Sequence, residues 1–148
     1  MRLWFTFSLA LAVLPVRASA KPACDVFPID DAVVVLSQNA QQKDLGNAGC
    51  VYEIATPHLV LMVTPPQEAA NVQASFAEMK QNAQRAGATV RDEPGLGFSA
   101  VTKDSQTIFI AKGSSAFSIS LSNPGSSTPL PNLLDKMRMV AKRAVTRL

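Results

Sequence analysis

The clearest pattern along the chain is a strict alternation of apolar and polar residues in its second half. In "AFSISLS" (residues 116–122), Phe117, Ile119 and Leu121 share one face, while the other face is small and serine-rich. A period of two is typical of a strand that buries one face. We therefore expect the serine face to be wet or only lightly covered. The same period predicts two preceding strands, joined to it by short turns, at residues 98–102 and 107–112.

A hairpin is predicted in the first half of the chain. "CVYEIA" (residues 50–55) alternates, "LVLMV" (59–63) is continuously apolar, and Thr56-Pro57-His58 lies between them as the turn. Before this hairpin, the three valines of "PIDDAVVVLSQ" (28–38) favour a strand. Its initial proline and aspartates suit the first turn of a helix, so we predict a short helix there. Residues 39–49 are polar with two glycines and are predicted to form a loop.

Two longer helices are predicted from apolar stripes. Thr64-Pro65-Pro66-Gln67 has the form of a capping box and predicts the start of a helix that Gly87 ends. Its apolar stripe consists of Val72, Phe76, Met79 and Ala83. A second helix is predicted over residues 130–148, with Met137, Val140, Ala144 and other apolar residues on one stripe.

The order of these elements predicts an α+β fold. We expect residues 21–148 to form a single domain, mainly an antiparallel sheet of about five strands. This sheet would pack on two longer helices and one short N-terminal helix. The 128 residues of this segment are enough for one domain with its own core.

The first twenty residues have the features of a cleaved signal peptide. Arg2 precedes an apolar run over residues 3–16, and Ala18-Ser19-Ala20 has the small residues of a cleavage site. The alternative is a membrane anchor, but Pro15 and Arg17 interrupt the run before it reaches spanning length. No second run of that length follows, so we predict an extracytoplasmic protein, periplasmic or secreted, without a transmembrane segment after cleavage.

The two cysteines, Cys24 and Cys50, are predicted to form a disulfide bond. An isolated pair in an exported chain is most simply bonded in the oxidising compartment it enters. A metal site is the alternative, but two cysteines and the single, distant His58 do not make a recognisable ligand set. We expect no metal and no cofactor.

The segment "GLGFSA" (residues 95–100) matches the glycine fingerprint of dinucleotide-binding proteins. That fingerprint binds a pyrophosphate only where it follows a strand and opens a helix. Here it follows "RDEP" and precedes a predicted strand. We therefore interpret these glycines as a turn that enters a strand.

The layout and several short motifs resemble a family of small exported bacterial domains of unknown function, many of them lipoproteins. The shared features are an early cysteine, the "DDAVVVL" helix, "GCVYEI" opening a hairpin, an amphipathic helix, the "PGLGFSA" turn and a basic terminal helix. The resemblance implies an antiparallel sheet packed on helices and an envelope location. It assigns no functional residues, and this chain lacks the lipidation signal of the lipoprotein members.

The C-terminal end of the chain has an excess of positive charge. Residues 21–148 carry 12 basic and 11 acidic side chains, and five of the basic ones lie on the last predicted helix with one acid. These five are Lys136, Arg138, Lys142, Arg143 and Arg147. They could dock an anionic surface, such as lipid headgroups or an acidic protein patch. The alternative, which is the common arrangement in helices of this kind, is the solvated face of an amphipathic helix, with cations complementing the helix dipole. Export and the absence of interleaved aromatic residues argue against nucleic acid as a partner.

No arrangement of catalytic residues is evident in the sequence. His58 is the only histidine and falls in a predicted turn, and the adjacent acids Asp30-Asp31 and Asp92-Glu93 do not by themselves make an acid–base site. We therefore predict an exported, non-catalytic binding or accessory protein of the cell envelope, with an envelope or secreted protein as partner. The alternative is a small secreted hydrolase or an enzyme inhibitor, with a site assembled from distant loops.

Overall fold

A computed structural model describes residues 21–68 and 70–148 of the chain, so the predicted signal peptide lies outside the described residues. Within them, eight strands form one antiparallel sheet and four helices pack on it. The strands are β1 (Gln41–Asp44), β2 (Cys50–Ile54), β3 (Leu59–Val63), β4 (Gln67–Glu68), β5 (Thr89–Glu93), β6 (Gly97–Val101), β7 (Ser105–Lys112) and β8 (Ser115–Ser122). The helices are α1 (Ala23–Val26), α2 (Ile29–Val35), α3 (Val72–Arg85) and α4 (Leu134–Val145).

The sheet has the strand order β1-β2-β3-β8-β7-β6-β5, and β4 pairs with β8 beyond the end of β3. The α+β class is therefore right in outline, but the prediction of about five strands is wrong. The additional strands are β1, β4 and β5. β1 is exposed along its whole length and β5 along most of it, while β4 has only two residues. An edge strand that buries no face carries no period-two pattern, so the sequence did not reveal these three.

The core lies on the face of the sheet that α1, α2 and α4 cover. Alternate residues of β2, β3, β7 and β8 point into it, and pairs such as Leu61 with Leu121 and Ile108 with Ile119 are fully buried. Helix α4 contributes Met137, which is also fully buried. Burying one such side chain stabilises a fold by about 1.5–3 kcal/mol, so this face supplies most of the hydrophobic stabilisation.

The predicted disulfide between Cys24 and Cys50 is confirmed. It joins α1 to the first residue of β2, with 5.2 Å between the two Cα atoms. Beside it, the buried hydroxyl of Tyr52 donates a hydrogen bond to the carbonyl of Phe27. The N-terminal segment is therefore fastened to the sheet covalently and by a buried polar contact.

Among the described residues, no helix has both the length and the apolar character needed to cross a membrane.

Helix α3 lies on the opposite face of the sheet and begins later than its sequence predicts. The predicted start at Thr64 is wrong, because the chain here continues along β8 as far as β4. Thr64 pairs with Ser118 through its backbone and its side chain, and two prolines without amide hydrogens follow it. The helix begins at Val72 instead, where the side chain of Asn71 accepts from the amide of Ala74.

The second face of the sheet is covered at one end only. Phe76 of α3 packs edge-on against Phe98, which stacks on Phe109 with 4.6 Å between ring centroids. Away from α3, the alternate serines of β8 are half-buried, as expected from their small polar side chains. Met62 of β3 is 37% exposed on this face.

Candidate functional site

Two buried carboxylates lie beside α4, and arginines of the predicted docking set bind both of them. The first is Glu93, at the end of β5. Arg138 donates to it twice, from Nε to Oε2 and from Nη2 to Oε1, each at 2.7 Å. The hydroxyl of Ser99 donates to Oε1 at 2.6 Å. Arg138 also binds the exposed Asp135 one turn earlier on α4. The guanidinium is thus held against β5 as well as against its own helix.

The second buried carboxylate is Asp31 of α2, whose side chain is 3% exposed. Arg147 donates from Nη1 to Asp31 Oδ2 and, at 3.0 Å, to the carbonyl of Val26. Arg143 lies further out, with 3.4 Å between its Nη1 and Asp31 Oδ1. These contacts join α4 and the residues that follow it to both N-terminal helices.

The adjacent acids of the sequence therefore separate in the structure. Asp31 and Glu93 are buried and bind arginine, whereas their neighbours Asp30 and Asp92 are exposed. Asp92 and Glu93 are the last two residues of β5. Because the two acids are consecutive in β5, their side chains lie on opposite faces of the sheet. Only Glu93 faces α4, while Asp92 binds Lys80 of α3.

The five predicted docking residues thus fall into two groups. Arg138, Arg143 and Arg147 bind carboxylates of the same chain. Lys136 and Lys142 are exposed and form no ion pair with another described residue. Three of the five cations are therefore engaged by carboxylates within the fold. Docking of an anionic surface by α4 stays a prediction, and it would depend mainly on Lys136 and Lys142.

The Glu93 site holds a carboxylate beside a serine, but its electrostatics do not favour proton transfer. The hydrogen bonds from Arg138 lower the pKa of Glu93, and they outweigh the opposing effect of its burial. The hydroxyl of Ser99 lowers this pKa further. A carboxylate stabilised in its charged form is a weak base at neutral pH. The arrangement therefore serves to fasten α4 to β5.

His58 lies at the tip of the β2–β3 hairpin and is exposed, as expected for a turn. It lines a cleft of about 590 Å³ together with Glu53 and several polar residues. No side-chain hydrogen bond joins His58 to Glu53 or to any other residue that the structure describes. A hydrolase site built on His58 would need this histidine to be buried and paired with a carboxylate. His58 has neither property in the part of the chain that the structure describes.

The glycine segment forms the turn between β5 and β6, as the sequence indicates. Gly95 has a φ of 73° in the turn, and Gly97 begins β6. A side chain at Gly97 would collide with the carbonyl of Phe109 and lie 2.8 Å from the ring of Phe76. Gly95 therefore permits the turn, and Gly97 allows β6 to approach β7 and α3 closely. No helix follows them that could bind a pyrophosphate.

A groove of about 430 Å³ lies on the core side of the sheet, where α4 does not cover β5 and β6. Its floor is formed by Thr89, Arg91, Ser99 and Val101, and its wall by the connector that leads into α4. The buried side chain of Gln106 donates to the carbonyl of Pro131 at 2.9 Å and accepts from the amide of Leu133 at 3.2 Å. The wall is therefore held in place by hydrogen bonds that need no ligand.

The groove has an excess of positive charge. Its lining includes two basic residues, Arg91 of β5 and Lys103 of the β6–β7 turn, and no acidic residue. Neither cation forms an ion pair or a side-chain hydrogen bond with another described residue. Their neighbour Glu93 is already neutralised by Arg138. Sequence reasoning missed this site because its two cations are isolated in the sequence and meet only when β5, β6 and the turn assemble.

The described residues contain no group of three or more His, Cys, Asp or Glu side chains close enough together to hold a metal ion. No protein-family model, curated protein or solved structure matches this chain, so its function is inferred from its geometry and chemistry.

Proposed function

We propose that this chain is an exported, non-catalytic accessory domain of the cell envelope that binds an acidic segment of a protein partner. The observation that carries the proposal is the groove beside β5. It presents Arg91 and Lys103, neither of which forms an ion pair with a described residue, and the nearby Glu93 is bound by Arg138. Two cations on one concave surface attract negative charge and disfavour positively charged partners.

The contrast with α4 supports the choice of this groove over the helix. Arg138 and Arg147 bind buried carboxylates, so an anionic partner would have to compete with bonds already formed inside the fold. Arg91 and Lys103 bind no such partner among the described residues and would lose no internal ion pair on binding. A ligand can therefore bind Arg91 and Lys103 without breaking an ion pair, whereas binding to Arg138 or Arg147 would have to break one.

Export is supported by two independent features. The N-terminal twenty residues have the composition of a signal peptide, and the Cys24–Cys50 disulfide is of the kind that persists in oxidising compartments. Cell fractionation and mass spectrometry of the purified protein test this part. A mature chain that begins at Lys21 in an extracytoplasmic fraction supports it, and an uncleaved chain in the cytoplasm contradicts it.

Site-specific photo-crosslinking in cells tests the binding function. The crosslinker replaces Thr89, which is exposed, lines the groove and forms no side-chain hydrogen bond with a described residue. Its control replaces the exposed Gln81 of α3. The proposal expects one discrete protein adduct from position 89 and none from position 81.

Charge reversal then shows whether the groove carries the binding. The variant with Arg91→Glu and Lys103→Glu should lose the adduct, because it replaces attraction by repulsion. A matched variant with Lys43→Glu and Arg85→Glu has the same net charge but leaves the groove intact, and it should keep the adduct. An adduct that survives reversal of the groove, or equal adducts from both crosslinker positions, would overturn the proposal.

A further inference from the structure

The outer edge of β5 is an unpaired edge of the sheet. β5 pairs with β6 on one side, and no strand among the described residues pairs with its other side. The strand is mostly exposed, with only Glu93 buried. Alternate backbone amides and carbonyls on that side therefore have only water as partner, and such an edge can accept another strand.

The cationic groove lies directly beside this edge. Arg91 pairs with Ser99 of β6, and both residues line the groove. Successive side chains of a strand alternate between faces, so Thr89, Arg91 and Glu93 face the groove side and Val90 and Asp92 face α3. A strand added to β5 would follow the same alternation. Every second side chain of that strand would point over the groove, towards Arg91 and Lys103.

We infer that the partner joins the sheet through an extended segment that pairs with β5 as a ninth strand. Acidic residues at alternate positions of this segment would face Arg91 and Lys103. The inference rests on the proposed function and specifies how the acidic partner is bound. Backbone hydrogen bonds to β5 would supply affinity, and the two cations would select the sequence.

The opposite edge of the sheet does not suit the same ligand. β1 is also an exposed edge strand, but its one cation, Lys43, is followed by Asp44, and the cleft beside the strand contains Glu53 and no lysine or arginine. An acidic segment placed there would meet charges of both signs and not two cations. The charged side chains of β5 also disfavour non-specific pairing with an apolar strand. The edge therefore favours an acidic strand.

Fluorescence anisotropy with synthetic peptides tests this inference on the purified chain. The probe is a labelled peptide with alternating acid, Thr-Glu-Thr-Glu-Thr-Glu-Thr. Its control contains the same residues with the three glutamates placed together. Two further probes carry N-methyl groups on one or the other alternate set of backbone amides, because a paired strand directs only one set at its neighbour.

The inference expects the alternating peptide to bind more tightly than its isomer. N-methylation of one alternate set should abolish binding, and N-methylation of the other should leave it unchanged. Arg91→Glu or Lys103→Glu should weaken binding about fivefold or more, whereas Lys43→Glu on the opposite edge should change it less than about twofold.

The outcomes separate the two proposals. If both methylated peptides bind as well as the parent while Arg91→Glu still weakens binding, the groove binds acidic peptides and strand addition is overturned. If the alternating peptide binds no more tightly than an uncharged threonine peptide, and Arg91→Glu changes neither, the acidic-partner proposal fails together with the inference. Selective loss with one methylated set supports both.

Discussion

Arg138 and Glu93 are joined by two parallel hydrogen bonds of 2.7 Å, although 45 positions separate them in the chain. The Glu93 side chain is 6% exposed and that of Arg138 is 29% exposed. Hydrogen bonds of this bidentate, charged kind are about twice as strong as those between neutral groups. The contact ties the middle of α4 to the end of β5, next to the proposed binding groove. A residue that the sequence places on a helix face available for docking is thus part of the fold.

Replacement of Arg138 by glutamine should destabilise the protein substantially. The change leaves the carboxylate of Glu93 buried with Ser99 as its remaining side-chain partner, and breaking one side of such a pair costs about 3 kcal/mol. Urea unfolding followed by circular dichroism measures the loss. Lys142→Gln removes an exposed charge from the same helix and should change the unfolding free energy by less than about 0.5 kcal/mol. Equal effects of the two substitutions would contradict a structural role for Arg138.

The same pair should make stability depend on acidic pH. The bonds from Arg138 lower the pKa of Glu93 below its ordinary value of 4.5 in the folded state. Its contribution to stability is therefore complete above that value and is lost as the pH falls through the lowered pKa. Unfolding free energies at neutral pH and at about pH 3 measure this loss. In Glu93→Gln the decrease on acidification should be smaller, and an unchanged decrease would show that other carboxylates cause it.

Loss of the disulfide should destabilise the chain by about 3–4 kcal/mol, the chain-entropy value for a loop of this length. Cys24 and Cys50 are 26 positions apart, and Cys50 is fully buried. Cys24→Ser should therefore lower the melting temperature measured by calorimetry under oxidising conditions. A reducing agent should lower that of the parent chain and leave the variant unaffected. A parent melt that is insensitive to reduction would argue against the bond.

Gly97→Ala should destabilise the protein more than a substitution in the adjacent turn. Gly97 has a φ of 156°, and an added Cβ would collide with the Phe109 carbonyl. The backbone cannot yield without disturbing the pairing of β6 with β7. Gly95→Asn is the control, because that site is open and asparagine tolerates its φ of 73°. Chemical denaturation should show a loss of about 2 kcal/mol or more for Gly97→Ala and a clearly smaller one for Gly95→Asn.

The elements that the sequence predicts correctly are those that bury one face. β8 alternates because Phe117, Ile119 and Leu121 enter the core, and that alternation is visible in the sequence without any tertiary information. β1 and β5 form the two edges of the sheet and bury almost nothing, so their residues show no period. Thr64 illustrates a different limit. Its capping pattern is genuine as a sequence motif, but pairing with Ser118 outcompetes helix formation there.

The candidate site was predictable only in part, because its residues act through partners that are distant in sequence. The basic composition of α4 is evident from the sequence, yet whether Arg138 and Arg147 face solvent depends on where Glu93 and Asp31 lie. Arg91 and Lys103 are isolated cations in the sequence. They become one site when β5 and the β6–β7 turn meet beside the connector that Gln106 holds.

The sequence by itself determined the features set by local pattern and composition: the buried strands, the amphipathic helices, the glycine turn and the pairing of its only two cysteines. The hydrophobic period and the backbone conformation of glycine are set by residues close together in the chain. A chain with two cysteines allows only one intramolecular disulfide. The tertiary structure alone decided which charges remain available to a ligand. Each buried carboxylate engages the arginines that assembly brings to it, whereas Arg91 and Lys103 form no ion pair with a described residue and meet in one groove.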